Sequence, residues 1–274
     1  MMKNKMGICE WALVGEGPFS IALASDLGFD GIQIKDLGGS GNGYPMNNKR
    51  IQMGYLDAAL EHRVEIHSLH LMSLVMEGTM KHPLNSAQGE SAAKSLKMGV
   101  QACADMKIPV LFLASVFNSQ IVNNYDFSNF ADMLSLACDM GEDKGITIAL
   151  ETVMTIDKIL QMRDVVGERL KIMLDTLNPL RYGSGDPVDV ISKLGADAID
   201  HVHLKDAPES LMGSSLLGTG SGQYQDSVTA IKKIGYEGWF VLENPHFKQP
   251  SCSDMDPLDL IRTDLETMRK SFPG

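Results

Sequence analysis

Four short apolar runs in the second half of the sequence each end in residues able to hold a proton or a cation. They read Thr147-Ile-Ala-Leu-Glu151, Lys171-Ile-Met-Leu-Asp175, His201-Val-His-Leu-Lys205 and Trp239-Phe-Val-Leu-Glu243. Along an extended strand successive side chains point to opposite faces, so residues two apart share a face. Glu151 therefore lies with Thr147 and Ala149, Asp175 with Met173, His203 with His201, and Glu243 with Trp239 and Val241. The alternate set (Ile148, Leu150, Ile172, Leu174, Val202 and Leu204) suits packing beneath helices. Three carboxylates brought to one place repel each other, and desolvation adds to that cost unless a cation neutralises them. Three hard oxygens and one imidazole suit a divalent ion such as Mn²⁺, Mg²⁺, Co²⁺ or Zn²⁺. Four protein ligands leave positions open for water or for two substrate oxygens.

A cation that chelates adjacent hydroxyl and carbonyl oxygens acidifies the carbon-bound proton between them and stabilises the enediolate that follows. Two glutamates on opposite sides of the substrate then serve as base and conjugate acid. Return of the proton to the other face inverts a stereocentre. Return to the neighbouring carbon interconverts aldose and ketose, and loss of a β-hydroxyl is dehydration. The spacing leaves all three open. Plainer uses exist too: a carboxylate at a strand end often closes a turn or caps a helix. His201 fits a hydrogen-bonded core position, one layer below the strand ends, better than a ligand position.

Such a convergence needs a scaffold. Strands are expected near Met6–Ala12, Gly31–Lys35, Val64–Leu71, Val110–Ala114, Ile146–Glu151, Leu170–Asp175, Ile199–Lys205 and Gly238–Glu243. Their starts lie 24 to 46 residues apart, about the length of a βα unit (~30 residues or more). Helical spacing of apolar residues marks Ser91–Met106, Asp126–Asp143, Thr155–Val166 and Asp256–Ser271. Two units share a signature, Leu27-Gly-Phe-Asp-Gly-Ile-Gln-Ile34 and Ile234-Gly-Tyr-Glu-Gly-Trp-Phe-Val241, in which the first Gly suits a left-handed helix C-cap. With no Pro/Gly/Ser linker, residues 1–274 read as one (β/α)₈ TIM-barrel domain whose site lies at the C-terminal strand ends. The rival doubly wound sheet lacks its nucleotide fingerprint, since Gly15-Glu-Gly17-Pro-Phe-Ser20 fails at the last position.

Composition narrows the class. The chain has 274 residues, 44% hydrophobic and 22% charged, with a formal charge of −11. That length supports a sizeable core, and the acidic balance opposes a nucleic-acid partner. No apolar stretch approaches the ~18 residues of a membrane span. Cys9, Cys103, Cys138 and Cys252 show no metal-finger spacing and read as scattered reduced thiols, which points to the cytoplasm. Barrels of this kind often pair, so a homo-oligomer is compatible, although no segment marks an interface. Gly183-Ser-Gly185-Asp-Pro187 reads as a helix start capped by Asp186 rather than a phosphate cradle.

The segments Ala149-Leu-Glu-Thr152, Met173-Leu-Asp-Thr-Leu-Asn178, His201-Val-His-Leu-Lys-Asp206, Leu217-Gly-Thr-Gly220 and Gly235-Tyr-Glu-Gly-Trp-Phe-Val-Leu-Glu243 resemble the sugar phosphate isomerase/epimerase family. That family shares the xylose-isomerase-like barrel and includes ketose 3-epimerases, inosose dehydratases and, more distantly, metal-dependent apurinic endonucleases. The resemblance implies a divalent metal held by Glu151, Asp175, His203 and Glu243, with Glu151 and Glu243 doubling as the catalytic acid–base pair. It implies a small-molecule sugar or sugar phosphate as substrate, contacted by His70, Asn178, Lys205 and Glu10. The expected activity is epimerisation or isomerisation, with inosose or sugar-acid dehydration as the alternative. Trp11 is expected to pack. Asn178 stands where many relatives carry His, which with the −11 charge weighs against an endonuclease-IV-like DNA repair role. Gln33 stands where relatives often have Glu.

Overall fold

A computed structural model of the chain describes residues 4–248 and 254–274. Short runs rich in β-branched and other apolar residues form eight strands. These are β1 (Lys5–Cys9), β2 (Gly31–Lys35), β3 (Glu65–His70), β4 (Val110–Ser115), β5 (Thr147–Thr152), β6 (Leu170–Asp175), β7 (Ile199–Leu204) and β8 (Trp239–Leu242). They follow one another in sequence order around a closed barrel, with β8 returning to pair with β1 in parallel. A parallel sheet covered by helices buries both faces, so its strands read as nearly continuous apolar runs. The expected eightfold barrel is the observed fold.

The principal helices are α1 (Pro18–Leu27), α2 (Lys49–His62), α3 (Met72–Glu77), α4 (Ala87–Met106), α5 (Asn124–Glu142), α6 (Ile156–Val166), α7 (Asn178–Arg181), α8 (Pro187–Leu194), α9 (Tyr224–Ile234) and α10 (Pro257–Ser271). Among the described residues, none is long and apolar enough to cross a membrane. Gly28 after α1 and Gly235 after α9 are left-handed, at φ 95° and 71°, as their repeated signature implies. Gly31 serves a different need. A Cβ there would run into the Trp239 ring and come within 2.7 Å of the Glu65 carbonyl oxygen.

The chain falls into two compact units. The first runs through Gln33, takes up Ala58–Glu65 and resumes at Met173. Within it Gly7 pairs with Gly31, Cys9 with Gln33, Met6 with Phe240, and His203 with Val241. The second comprises Ile34–Asp57 and Ile66–Ile172. Within it Ser68 pairs with Val110, Ala114 with Glu151, and Ile148 with Leu170. Here Ser86 accepts from the Gly89 N–H to open α4, and Asn123 accepts from Asp126 N–H to open α5.

The structure departs from the sequence reading by a residue or more at several strand ends, and three of these bear on site residues. β1 stops at Cys9, and Glu10–Ala12 turn into a 3₁₀ helix because the Glu10 carboxylate accepts from the Gly17 N–H at 2.7 Å and the Ser20 hydroxyl at 3.2 Å. β7 and β8 end one residue early, leaving Lys205 and Glu243 just past their strands, although Glu243 N–H still donates to Leu204 O at 3.1 Å. The Asp186 side chain caps α8, accepting from Val188 and Asp189 with Pro187 in the first turn, as its sequence implies.

Two buried aspartates fasten the loop after β7. Asp206 accepts from the N–H groups of Ala207, Gly218, Gly220 and Gly222 at 2.8–3.0 Å. Asp264 of α10 accepts from Leu217 N–H at 2.8 Å, from Asn244 Nδ2 at 2.9 Å and from His246 Nε2 at 2.7 Å. Donors that lose a charged acceptor in the interior cost about 1.5–3 kcal/mol. Asp206→Asn is therefore expected to lower stability by about 2–3 kcal/mol, seen as a reduced urea midpoint with an unchanged slope.

Candidate active site

Asp175 ends β6 and divides its two oxygens between two tasks. Oδ1 accepts from the N–H groups of Leu177 and Asn178 at 2.8 and 2.7 Å, which opens α7. Oδ2 is buried and meets Lys205 Nζ at 2.7 Å as an ion pair rather than an aligned hydrogen bond. The bland use of a strand-end carboxylate and the chemical one thus coexist in one side chain.

Glu243 stands beside it. Its Oε1 accepts from the Trp11 indole N–H at 2.7 Å. Its Oε2 lies 2.6 Å from Lys205 Nζ and 2.7 Å from His203 Nδ1. His203 is fully buried, and its Nε2 is 2.7 Å from Gln33 Oε1. Cys9 Sγ completes this floor, 3.3 Å from Gln33 Oε1 and 3.7 Å from His203 Nε2.

Charge follows from this geometry. Burial alone would raise the Glu243 carboxyl, but the Lys205 ammonium and His203 outweigh it and hold Glu243 well below the usual carboxylate range. Burial pushes the His203 imidazole below its ordinary value, against the pull of Glu243. One ammonium between two carboxylates leaves a formal negative charge in a desolvated place. Oxygen donors with one imidazole, one oxygen lacking an aligned donor, and residual negative charge together fit a divalent cation.

The second unit carries its own candidates. Glu151 is buried near the end of β5, where the neighbouring Thr152 accepts from Ser115 Oγ at 2.7 Å. His70 ends β3, buried against the Phe112 ring at a centroid distance of 4.2 Å, with Nδ1 3.2 Å from Phe112 O.

Not every expected contact is placed alike. Glu10 is wholly buried and one of its oxygens holds the start of α1, so that carboxylate shapes the first loop. Asn178 is buried, and its backbone serves Asp175. Lys205, expected as a substrate contact, is the counter-ion of Asp175 and Glu243. Trp11, expected to pack, donates to Glu243. Gln33 was not singled out as a partner of His203, yet a lone amide inside Gly31-Ile-Gln-Ile34 was a visible signal.

A parallel eight-stranded barrel with a carboxylate–imidazole cluster at its strand ends defines a class of small-molecule enzymes. Residues 21–271 match the family of xylose isomerase-like TIM barrels, and the chain belongs to that family. It is 31% identical over 234 residues to the 2-epi-5-epi-valiolone 7-phosphate 2-epimerase of Actinoplanes sp., covering 84% of this chain and 83% of the relative. It is 24% identical over 281 residues to the inosose dehydratase of Clostridium botulinum, covering 88% and 89% respectively. Its fold resembles that of D-psicose 3-epimerase from Clostridium cellulolyticum H10, with a TM-score of 0.78 at 15% identity and coverage of 98% and 99%.

Removing one partner of a buried ion pair costs about 3–5 kcal/mol, because the remaining charge is left uncompensated. Lys205→Met is expected to lower the stability of metal-free protein by about 3 kcal/mol at neutral pH. The sign of the pH dependence follows from Glu243. A depressed carboxyl adds stability above its ordinary value near 4.5 and loses it as pH falls below. Urea titrations at several pH values should show that acid-side loss in the wild type and a shallower one in the variant.

Proposed function

We propose that this protein is a divalent-metal-dependent epimerase acting on a sugar or sugar phosphate. The observation that carries the reading is the meeting of Asp175 Oδ2 and Glu243 Oε2 at one ammonium, with His203 Nδ1 against the same Glu243 oxygen. Glu151, Asp175, His203 and Glu243 would hold the ion. When bound, it would polarise adjacent hydroxyl and carbonyl oxygens of the substrate and lower the cost of the negative charge that develops on them.

The chain's own groups do the rest. Glu243 is kept ionised by Lys205, the protonation state from which a base must start, and its carboxylate accepts the carbon-bound proton. Trp11 holds the other oxygen of that carboxylate, which fixes the plane in which the proton is taken. Glu151 returns a proton on the opposite face. Lys205, His70 and Asn178 contact substrate oxygens. The similarity to the valiolone phosphate epimerase supports inversion over aldose–ketose transfer. Dehydration is the second reading, favoured by the similarity to the inosose dehydratase.

Cys9, Cys103 and Cys138 are buried thiols outside any disulfide, which supports a reducing compartment, the cytoplasm. Burial raises the Cys103 thiol and lifts Cys138 to about 11, so neither offers a thiolate nucleophile. Cys252 lies outside the described residues.

The test is hydrogen exchange at carbon. Protein with Mn²⁺ and a panel of ketoses, inososes and their phosphates in deuterated water should give one substrate with deuterium at a single carbon and a new epimer by NMR. A product that has lost water supports the dehydratase instead. Glu151→Gln and Glu243→Gln should each reduce exchange by at least about 10²-fold, the scale of a positioned acid or base. Near-wild-type turnover in either variant overturns the two-glutamate mechanism.

A further inference from the structure

The loop that follows β8 carries Glu243 at its start and Lys248 five residues later. The stretch between them is fastened. Asn244 Nδ2 donates to Ser215 O at 3.0 Å and to Asp264 Oδ2 at 2.9 Å, and His246 Nε2 meets that same oxygen at 2.7 Å. Lys248 N–H closes a turn onto Pro245 O at 2.9 Å. Buried contacts therefore place the backbone of Lys248, while the residue itself is exposed. Its ammonium donates to Trp11 O at 3.2 Å and lies 5.8 Å from the centre of the Phe247 ring.

Trp11 joins the two ends of that loop. Its indole N–H donates to Glu243 Oε1 at 2.7 Å and its carbonyl accepts from Lys248, so the ammonium stands one tryptophan away from the carboxylate proposed as base. Elsewhere in the first unit, the loops at the C-terminal strand ends supply two other permanent cations, Arg181 and Lys205. Lys205 lies between Asp175 and Glu243. Arg181 is engaged with the carbonyls of Leu211 and Gly213 at 2.7 and 3.3 Å. Lys248 pairs with no carboxylate among the described residues, and an ammonium has three hydrogens to donate.

A phosphate monoester near neutral pH carries about −1.5 to −2 charge. The Asp175–Glu243 pair, with its residual negative charge, repels such a group. A sugar phosphate that brings its reacting carbon to Glu243 thus needs a cation apart from that pair, yet within the span of one small molecule. We propose that Lys248 is that cation, a specificity-determining residue that receives the phosphoryl group and separates sugar phosphates from free sugars. That role rests on the sugar-directed reading above. An exposed ammonium suits it, since a compact point charge meets a phosphoryl oxygen without either group losing all of its water.

Two measurements test it. In protein with ¹³C-methylated lysines, inorganic phosphate should shift one lysine signal far more than the rest, and that signal should be missing from Lys248→Met. Calorimetry in the presence of Mn²⁺, with each ketose and inosose phosphate beside its free sugar, should show tighter binding of the phosphate. Lys248→Met should weaken that binding about 10-fold, the scale of one hydrogen bond to a charged group, and leave the free sugar unaffected. Lys248→Arg, which keeps the charge, should retain most of the difference. A folded Lys248→Met protein that discriminates as the wild type does overturns the proposal, and so does a wild type that does not discriminate. Deuterium exchange confined to free sugars overturns it too, while the epimerase reading stands. Discrimination through Lys248 without exchange in any sugar leaves the phosphate contact standing and removes the epimerase reading.

Discussion

Two carboxylates forced together out of water dominate the physics of the described site. Asp175 and Glu243 would each raise the cost of ionising the other, and Lys205 stands between them as the offset. The rest of the cluster is arranged about that compensation. Trp11 and His203 approach Glu243 from different sides, and the α7 amides take the second oxygen of Asp175. Each contact narrows where the remaining lone pairs can point. A site assembled this way is held by its supporting hydrogen bonds as much as by the backbone that bears it.

The residues carrying charge were legible in the sequence, because strand alternation is rigid. Once Glu, Asp, His and Glu end four successive apolar runs, a two-residue period leaves them little freedom of face. The barrel itself was legible for a related reason, since parallel strands covered by helices announce themselves as apolar runs at βα spacing. Gly28 and Gly235 went further and disclosed their backbone conformation.

What stayed hidden was the choice among partners. Nothing in the spacing says that Lys205 pairs with both Asp175 and Glu243, since a long flexible side chain takes its place from the charge around it. Trp11 looked like packing because indole burial and indole donation have the same sequence signature. The end of β1 depends on the Glu10 carboxylate reaching forward to Gly17, a contact with no periodicity. Gln33 depends on register between β1 and β2, a long-range property that one strand cannot reveal.

The glycine-rich loop after β7 bears on how an anionic substrate would be greeted. Gly-x-Gly segments in barrels invite a reading as phosphate cradles, because small residues let backbone amides converge on an anion. Here the amides from Leu217 to Gly222 are already engaged: three with Asp206, one with Asp264, and two with the carbonyls of Leu216 and Ala207. The protein has supplied its own anion to that nest. A phosphoryl group on the substrate would have to draw its recognition from side chains elsewhere around the mouth, and discrimination between a free sugar and its phosphate would then reside in residues outside this loop.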